Sequence, residues 1–280
     1  MQRINPLSSF VETDDVRLHY VDWGGDGPPI VLVHATGFHA RLWDPYSERL
    51  RQRYRVIAYD QRGHGDSSLP AGGMDWSYLS SDLHALIESL GIEGCFSAGH
   101  SSGGAAVAVC AALYPGSISR AVLIDPVLRD SHRTEPARTT PNPMADRTRR
   151  RRSVWESPHQ FKDAMRRRET FARWRPDFLV LYAQHGLRRA DHHYELKCSP
   201  DVEADMYEHA PRFDPWPAIA QIAVPSLLLR AVGSEPGRGV VPSDAADRIP
   251  HCREQTIDST HFIPMEQPEQ VFDAMQHFFA

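Results

Sequence analysis

The chain has 280 residues, 41% of them hydrophobic and 24% charged, which is typical of a folded protein that buries a sizeable core. Its formal net charge of −5 shows no basic excess, so the composition does not favour a nucleic-acid partner. The four cysteines form no C-x-x-C pair, which argues against a disulfide scaffold and a zinc ribbon. No apolar targeting region begins the chain and no run reaches about 18 apolar residues, so we expect a cytoplasmic protein without a membrane span.

Up to residue 126, short β-type runs alternate with helical segments. Residues 16–21 alternate with a period of two, which predicts a half-exposed strand. Leucines and isoleucine spaced by three and four predict a helix from about Tyr78 to Gly91. Strands alternating with helices predict an α/β fold, a mostly parallel sheet with helices on both faces. The remaining predicted elements of this part are strands over 30–33, 55–60, 94–99 and 121–124 and a helix over 105–113.

The alternation stops between residues 127 and 217, where we find helical, Arg-rich and Pro-rich pieces and no buried-strand run. It resumes with predicted strands over 224–229 and 256–258 and a last helix from Pro268 to Phe279. We interpret residues 127–217 as a helical cap inserted into a core formed by 1–126 and 218–280.

A G-x-S-x-G sequence, Gly99-His100-Ser101-Ser102-Gly103, lies between a predicted strand and a predicted helix. A serine on so tight a turn needs small neighbours, and Gly99 and Gly103 provide them. The turn presents the hydroxyl at the N-terminus of the following helix, where free N–H groups favour developing negative charge. Ser101 is therefore the candidate nucleophile.

Three further motifs accompany this turn, and together the four resemble those of the α/β-hydrolase superfamily over nearly the whole chain. They are Val-His-Ala-Thr-Gly-Phe at 33–38, Asp-Gln-Arg-Gly-His-Gly-Asp-Ser at 60–67 and Thr-His-Phe-Ile-Pro-Met-Glu at 260–266. The resemblance implies the α/β-hydrolase fold and a serine hydrolase that needs no metal and no organic cofactor.

The resemblance identifies His261 as the base, because it lies in the loop after the last strand. Histidine suits this role because its ordinary pKa of about 6.5 allows both proton removal and proton return. The third member must be a carboxylate that orients the imidazole. We favour Glu235, in the loop where relatives usually carry an aspartate, and keep Asp125, at the end of the 121–124 strand, as the alternative.

By the same resemblance, the backbone N–H groups of Ser102 and Thr36 form the oxyanion hole. Ala35 replaces the glycine usual at its position, which leaves Ala35 as an alternative donor. We expect His34, Phe38 and His100 to line the substrate site.

The cap carries an uneven charge distribution. Residues 129–189 hold 15 arginines and one lysine against seven acidic residues, whereas residues 190–216 hold seven acidic residues against two basic ones. The basic runs could recruit an anionic substrate such as a CoA thioester or a carboxylate-bearing lactone. We favour the alternative, that the cap neutralises its charge internally.

These residues predict a serine hydrolase that cleaves a small-molecule carboxylic ester or lactone through an acyl-enzyme. C–C bond hydrolysis, thioester hydrolysis and perhydrolysis would use the same residues. A slow-turnover ligand receptor and a basic-patch interaction protein are the alternatives from other classes. The sequence does not indicate an oligomeric state.

Overall fold

The computed structural model describes residues 5–71, 73–129, 142–233 and 241–280. Its main feature is an eight-stranded sheet, and a second sheet of three strands lies apart from it. The strands of these ranges are β1 Leu7–Glu12, β2 Arg17–Gly24, β3 Pro29–Val33, β4 Arg55–Tyr59, β5 Cys95–His100, β6 Ile118–Ile124, β7 Val154–Trp155, β8 Leu187–Ala190, β9 His193–Leu196, β10 Ser226–Ala231 and β11 Cys252–Ile257.

The large sheet has the strand order β1-β2-β4-β3-β5-β6-β10-β11. Its first two pairings, β1 with β2 and β2 with β4, are antiparallel, and all later pairings are parallel. This confirms the predicted α/β-hydrolase fold with a mostly parallel sheet. The helices of the described residues are α1 Asp44–Leu50, α2 Ser77–Ser89, α3 Ser102–Leu113, α4 Pro143–Arg149, α5 Pro158–Arg166, α6 Pro176–His185, α7 Pro200–His209, α8 Trp216–Ile219, α9 Ala245–Arg248, α10 Ile263–Glu266 and α11 Pro268–Phe279.

Helices cover both faces of the sheet, because the central strands are apolar on both sides. In β3, Ile30 and Leu32 pack with residues of α1 and α11. Val31 and Val33, which point to the opposite face, pack with α2 and α3. None of the helices in the described ranges combines the length and hydropathy that crossing a membrane requires.

The chain between β6 and β10 contains α4 to α8 and the three-stranded sheet, in the order β7-β9-β8. We expected only helical pieces here, and the small antiparallel sheet is a departure from that expectation. Its strands have two to four residues and expose polar side chains such as Arg188 and Arg189, so no apolar run marks them. The boundaries 127–217 for the cap stay a prediction.

The predicted element bounds differ from the structure mainly at the edges of the large sheet. The edge strand β1 has mostly exposed residues and was not predicted. β2 is almost wholly buried rather than half exposed, because Leu18 and Tyr20 pack into one core cluster and Val21 and Trp23 into the other. β11 begins at Cys252 rather than at the predicted residue 256. Its first part was not recognised in the sequence because the residues from Arg253 to Thr256 are polar and exposed.

Candidate active site

Ser101 occupies the sharp turn between β5 and α3. Its backbone has φ 57° and ψ −116°, a left-handed conformation that side chains other than glycine rarely adopt. The turn is held on both sides, because the Ser101 N–H donates to the carbonyl of Ile124 (3.0 Å) and Val127 N–H donates to the Ser101 carbonyl (3.1 Å). The hydroxyl side of this turn is almost closed to solvent, and Ser101 is 7% exposed.

The two glycines of the motif are required by close backbone contacts. A Cβ atom on Gly99 would lie 2.2 Å from the carbonyl oxygen of Gly103. A Cβ atom on Gly103 would lie 2.5 Å from the carbonyl oxygens of Val33 and His34. The first turn of α3 therefore packs directly against the end of β3 and the loop that follows it.

His261 and Asp125 extend from Ser101 in one line of hydrogen bonds. The Ser101 Oγ lies 2.9 Å from Nε2 of His261. On the other side of the ring, His261 Nδ1 lies 2.6 Å from Oδ2 of Asp125. His261 follows β11 and Asp125 follows β6, so the carboxyl ends of separate parallel strands bring the three side chains together.

Asp125 is buried and ionised. Burial would raise the pKa of its carboxyl, but the hydrogen bond and the electrostatic interaction with His261 outweigh that effect and hold the pKa below its ordinary value. The second carboxylate oxygen accepts a hydrogen bond from the backbone N–H of Ala231 (3.2 Å). An anionic carboxylate in this position fixes Nδ1 of His261 as the protonated nitrogen and leaves Nε2 to accept a proton from serine.

Glu235, which we favoured as the acid, belongs to residues 234–240 and lies outside the described residues. Among the described residues, the carboxylate that contacts His261 is that of Asp125, the alternative candidate.

The other two histidines predicted to line the site are buried and hydrogen-bonded to backbone. His100 Nε2 donates to the carbonyl of His261 (2.7 Å), and burial lowers the pKa of His100 to about 3. His34 Nδ1 donates to the Ala35 carbonyl (2.8 Å), and its Nε2 accepts from Gln61 N–H (2.9 Å). Both rings are therefore neutral and support the loops around Ser101, and a direct contact with substrate stays a prediction for them.

The predicted oxyanion donors belong to two segments in contact. Ser102 is the first residue of α3, so its N–H has no acceptor within the helix. Thr36 lies in a turn closed by the Phe38 N–H and the Ala35 carbonyl (3.1 Å), with Gly37 at φ 82°. Gln61, which we did not single out from the sequence, links these segments by donating to the His34 carbonyl (2.5 Å) and to Ser102 Oγ (3.3 Å).

Aromatic side chains of the segment between β6 and β10, which we interpret as the cap, pack beside this site. Phe38 lies in the same cluster as Trp174 and Tyr182, with ring centroids 5.4 Å from each. Phe262, beside His261, lies 5.5 Å from Trp174 and 6.1 Å from Phe38. Tyr182 also donates to the Gly37 carbonyl (3.4 Å), so the cap contacts the loop that carries Thr36.

Part of the basic cap sequence forms ion pairs inside the cap. Arg149 bonds to Asp205 (3.0 Å) and Glu208 (2.8 Å) of α7. Arg151 pairs with Glu203, a buried residue of the same helix. This pairing agrees with internal neutralisation, whereas Arg166 to Arg168 remain exposed.

Two further features lie away from Ser101. A cavity of about 770 Å³ between β11 and α11 is lined by residues such as Arg120, Arg253 and Phe278. His19, Asp60 and Asp66 place potential metal-binding atoms within 4.8 Å of one another. The Asp60 carboxylate already accepts hydrogen bonds from His19, Ala40 and Asp66, so it serves the surrounding loops.

Comparison with known proteins gives partial and full-length matches. The chain is 39% identical to a non-heme chloroperoxidase of Streptomyces lividans, over 43% of this chain and 45% of that protein. It is 38% identical to a bifunctional esterase/perhydrolase of Acinetobacter calcoaceticus, over 41% and 42% of the two chains. These matches thus span less than half of each relative. A 3-oxoadipate enol-lactonase of Acinetobacter baylyi is 23% identical over 97% of both chains.

Similarity also extends to solved structures and to a family model. The crystal structure of E-2-(acetamidomethylene)succinate hydrolase superposes with a TM-score of 0.82 at 22% identity, covering 98% of this chain and 99% of that one, and this likeness concerns the fold. The model of the alpha/beta hydrolase family matches residues 30–274. The chain belongs to the alpha/beta hydrolase family.

Proposed function

We propose that this protein is a serine hydrolase that cleaves a small-molecule carboxylic ester or lactone, with Ser101, His261 and Asp125 as its catalytic residues. The observation that carries the proposal is the unbroken line from Ser101 Oγ to His261 (2.9 Å) and from His261 to Asp125 (2.6 Å). An alcohol needs a neighbouring base to become nucleophilic at neutral pH, and this geometry supplies one.

The reaction proceeds in two half-reactions. Ser101 Oγ adds to the substrate carbonyl while His261 Nε2 takes the hydroxyl proton, and Asp125 stabilises the imidazolium. His261 then returns the proton to the departing alkoxide, which leaves the acyl group on Ser101. Water, deprotonated by His261, adds to this ester, and collapse of the second tetrahedral species releases the acid and restores Ser101.

The N–H groups of Ser102 and Thr36 stabilise the oxyanion of each tetrahedral species. The position of Ser102 at the start of α3 supports this role, because its N–H is free of the helix and lies at the positive end of the helix dipole. Removing one such donor typically lowers kcat by about 10²-fold or more.

The surroundings of the serine support an apolar acyl group. The Phe262 ring lies 5.7 Å from the His261 ring, and Phe38 and Trp174 pack against Phe262 and extend this aromatic cluster. The names of an esterase and an enol-lactonase among the relatives support ester or lactone chemistry.

The test compares steady-state hydrolysis of p-nitrophenyl esters and a lactone panel by the wild type and Ser101→Ala. We expect multiple turnovers in the wild type and their loss in the variant. Ser119→Ala is the matched control and should retain the wild-type rate, because Ser119 lies on β6 and its hydroxyl donates to the Gly94 carbonyl just before β5. Turnover that survives Ser101→Ala would contradict the proposal.

Perhydrolysis is a second candidate, which the esterase/perhydrolase and chloroperoxidase names of the relatives favour. Hydrogen peroxide would replace water as the acceptor of the acyl group, giving a peracid from the same Ser101 ester. Peracid formation from a short-chain ester and peroxide, absent in Ser101→Ala, is the expected result for this candidate. Hydrolysis without any peracid would exclude it.

A further inference from the structure

A short segment of the cap, residues 171–175, crosses the loop that carries His261. The Arg175 N–H donates to the Met265 carbonyl (2.9 Å), and the rings of Trp174 and Phe262 lie 5.5 Å apart. Arg173 immediately precedes Trp174 and Arg175, and its guanidinium donates to the carbonyl of Asp258 (3.3 Å). The cap and the His261 loop therefore share one interface.

Glu266 organises the loop that carries His261 through hydrogen bonds to its backbone and side chains. Its carboxylate side chain is 1% exposed. It accepts hydrogen bonds from Ser259 Oγ (2.9 Å), Thr260 N–H (2.9 Å) and Thr260 Oγ1 (2.5 Å). These donors belong to the two residues that immediately precede His261, so the carboxylate determines where the backbone delivers the imidazole.

Arg173 supplies the positive charge for this carboxylate. Its Nε lies 3.2 Å from Oε2 of Glu266, the oxygen that also accepts from Ser259 and Thr260 N–H. Across the described ranges, no other basic side chain comes within 4.0 Å of Glu266. An ion pair between exposed groups stabilises little, but a buried carboxylate that loses its partner is strongly unfavourable.

We propose that Arg173 is a positioning residue that couples the cap to the catalytic histidine through Glu266, an inference that rests on the proposed hydrolase function. When the cap is seated, Arg173 neutralises Glu266, and the loop holds His261 in line with Ser101 and Asp125. When the cap lifts, the guanidinium leaves with it, and the loop loses the charge that keeps its carboxylate buried. Proton transfer is thereby efficient only with the cap closed over substrate.

The test is a double-mutant cycle on kcat with a p-nitrophenyl ester, using Arg173→Ala, Glu266→Gln and the double variant. We expect Arg173→Ala to lower kcat about 10-fold, because a small displacement of a catalytic group has effects of this size, and to change KM much less. In the Glu266→Gln background, Arg173→Ala should have little further effect. Arg173→Lys should recover most of the loss. Arg166→Ala, another exposed cap arginine, is the control and should match the wild type.

The coupling would be overturned if Arg173→Ala left kcat unchanged. It would also be overturned if the effects of Arg173→Ala and Glu266→Gln on kcat multiplied independently in the double variant. In either case, wild-type turnover that is lost in Ser101→Ala would still uphold the hydrolase. A wild type without turnover would contradict the proposed function instead. The coupling is then judged by the downfield proton resonance of His261 Nδ1–H, which reports the short bond to Asp125 in the resting protein. It should shift or broaden in Arg173→Ala and return in Arg173→Lys, and an unaltered resonance would overturn the inference.

Discussion

At the scale of single residues, the backbone is strained where the chemistry is proposed. Among the described residues other than glycine, four have positive φ, and Ser101 (57°) and Asp125 (38°) are two of them. Such conformations cost roughly 1–3 kcal/mol each and persist where surrounding contacts determine them. Here the contacts are the backbone bonds of Ser101 to Ile124 and of Asp125 N–H to the Leu229 carbonyl (2.7 Å).

Replacing Asp125 by asparagine should separate chemistry from folding. Asparagine keeps an oxygen for the Ala231 N–H, so we expect little change in melting temperature. The neutral asparagine side chain carries no negative charge to hold Nδ1–H of His261 and stabilise the imidazolium, so kcat should fall by about 10³-fold or more. Ester hydrolysis and thermal unfolding of the same preparation measure the two effects.

Glu235→Gln is the matched control for this variant and should leave kcat near the wild-type value. Full activity of Asp125→Asn together with loss of activity in Glu235→Gln would reverse the assignment of the acid.

The ambiguity between these two acids has a structural reason. A single candidate nucleophile and a single candidate base were identifiable from the sequence, because each lies in a motif with specific local backbone requirements. The acid was not, because β6 and β10 are neighbouring parallel strands, with Ile124 paired to Leu229. Their carboxyl ends converge at one edge of the sheet, so the residues that follow either strand can approach His261, and the sequence alone does not distinguish them.

At the scale of secondary-structure elements, the contact of α3 with the loop after β3 links stability to catalysis. Gly103→Ala would place a methyl group against two backbone oxygens that cannot move independently of β3. We expect the free energy of unfolding to fall by about 1–3 kcal/mol, as for other overpacked sites. Displacement of Ser102 should also lower kcat at temperatures where the variant is fully folded.

Gly91→Ala provides the comparison, because a Cβ atom there meets nothing within 4 Å and only the φ of 59° is unfavourable. Gly91→Ala should lower the free energy of unfolding by about 1 kcal/mol without lowering kcat. Chemical denaturation and ester hydrolysis of both variants check this prediction, which an equal kcat for Gly103→Ala and Gly91→Ala would contradict.

The elements of the cap were less predictable than those of the core. Strands such as β3 carry apolar side chains on both faces, which helices cover, and that apolar run is visible in the sequence. In the cap, α6 and the β8–β9 hairpin bury a few residues against Phe38 and its neighbours while most of their surface stays polar. Their tertiary partners are distant in sequence, so no local hydrophobic periodicity identifies these elements.

At the scale of the whole molecule, the core buries several uncharged histidines. Burial lowers the pKa of His64 and His100 to about 3, and it also lowers the pKa of His34 and, more strongly, of His39. In the unfolded chain these side chains take up protons below about pH 6.5, whereas in the folded protein they stay neutral. Protons therefore favour the unfolded state as the pH falls.

We expect the free energy of unfolding to decrease from about pH 6.5 downward, by up to about 1.4 kcal/mol per pH unit for each of His64 and His100, until these two side chains take up protons near pH 3 in the folded protein. Urea denaturation across this range measures the slope. His64→Asn should make the slope shallower, whereas the same change at exposed His192 should not. A free energy of unfolding that stays constant below pH 6.5 would contradict the prediction.

The most direct test of the central claim is to trap the intermediate. We would mix the protein with p-nitrophenyl acetate, quench with acid during turnover, and map the acetylated residue by peptide mass spectrometry. We predict one acetyl group on Ser101, absent in Ser101→Ala. Sustained hydrolysis with no acetyl group on Ser101, or with one on another residue, would contradict the proposed mechanism.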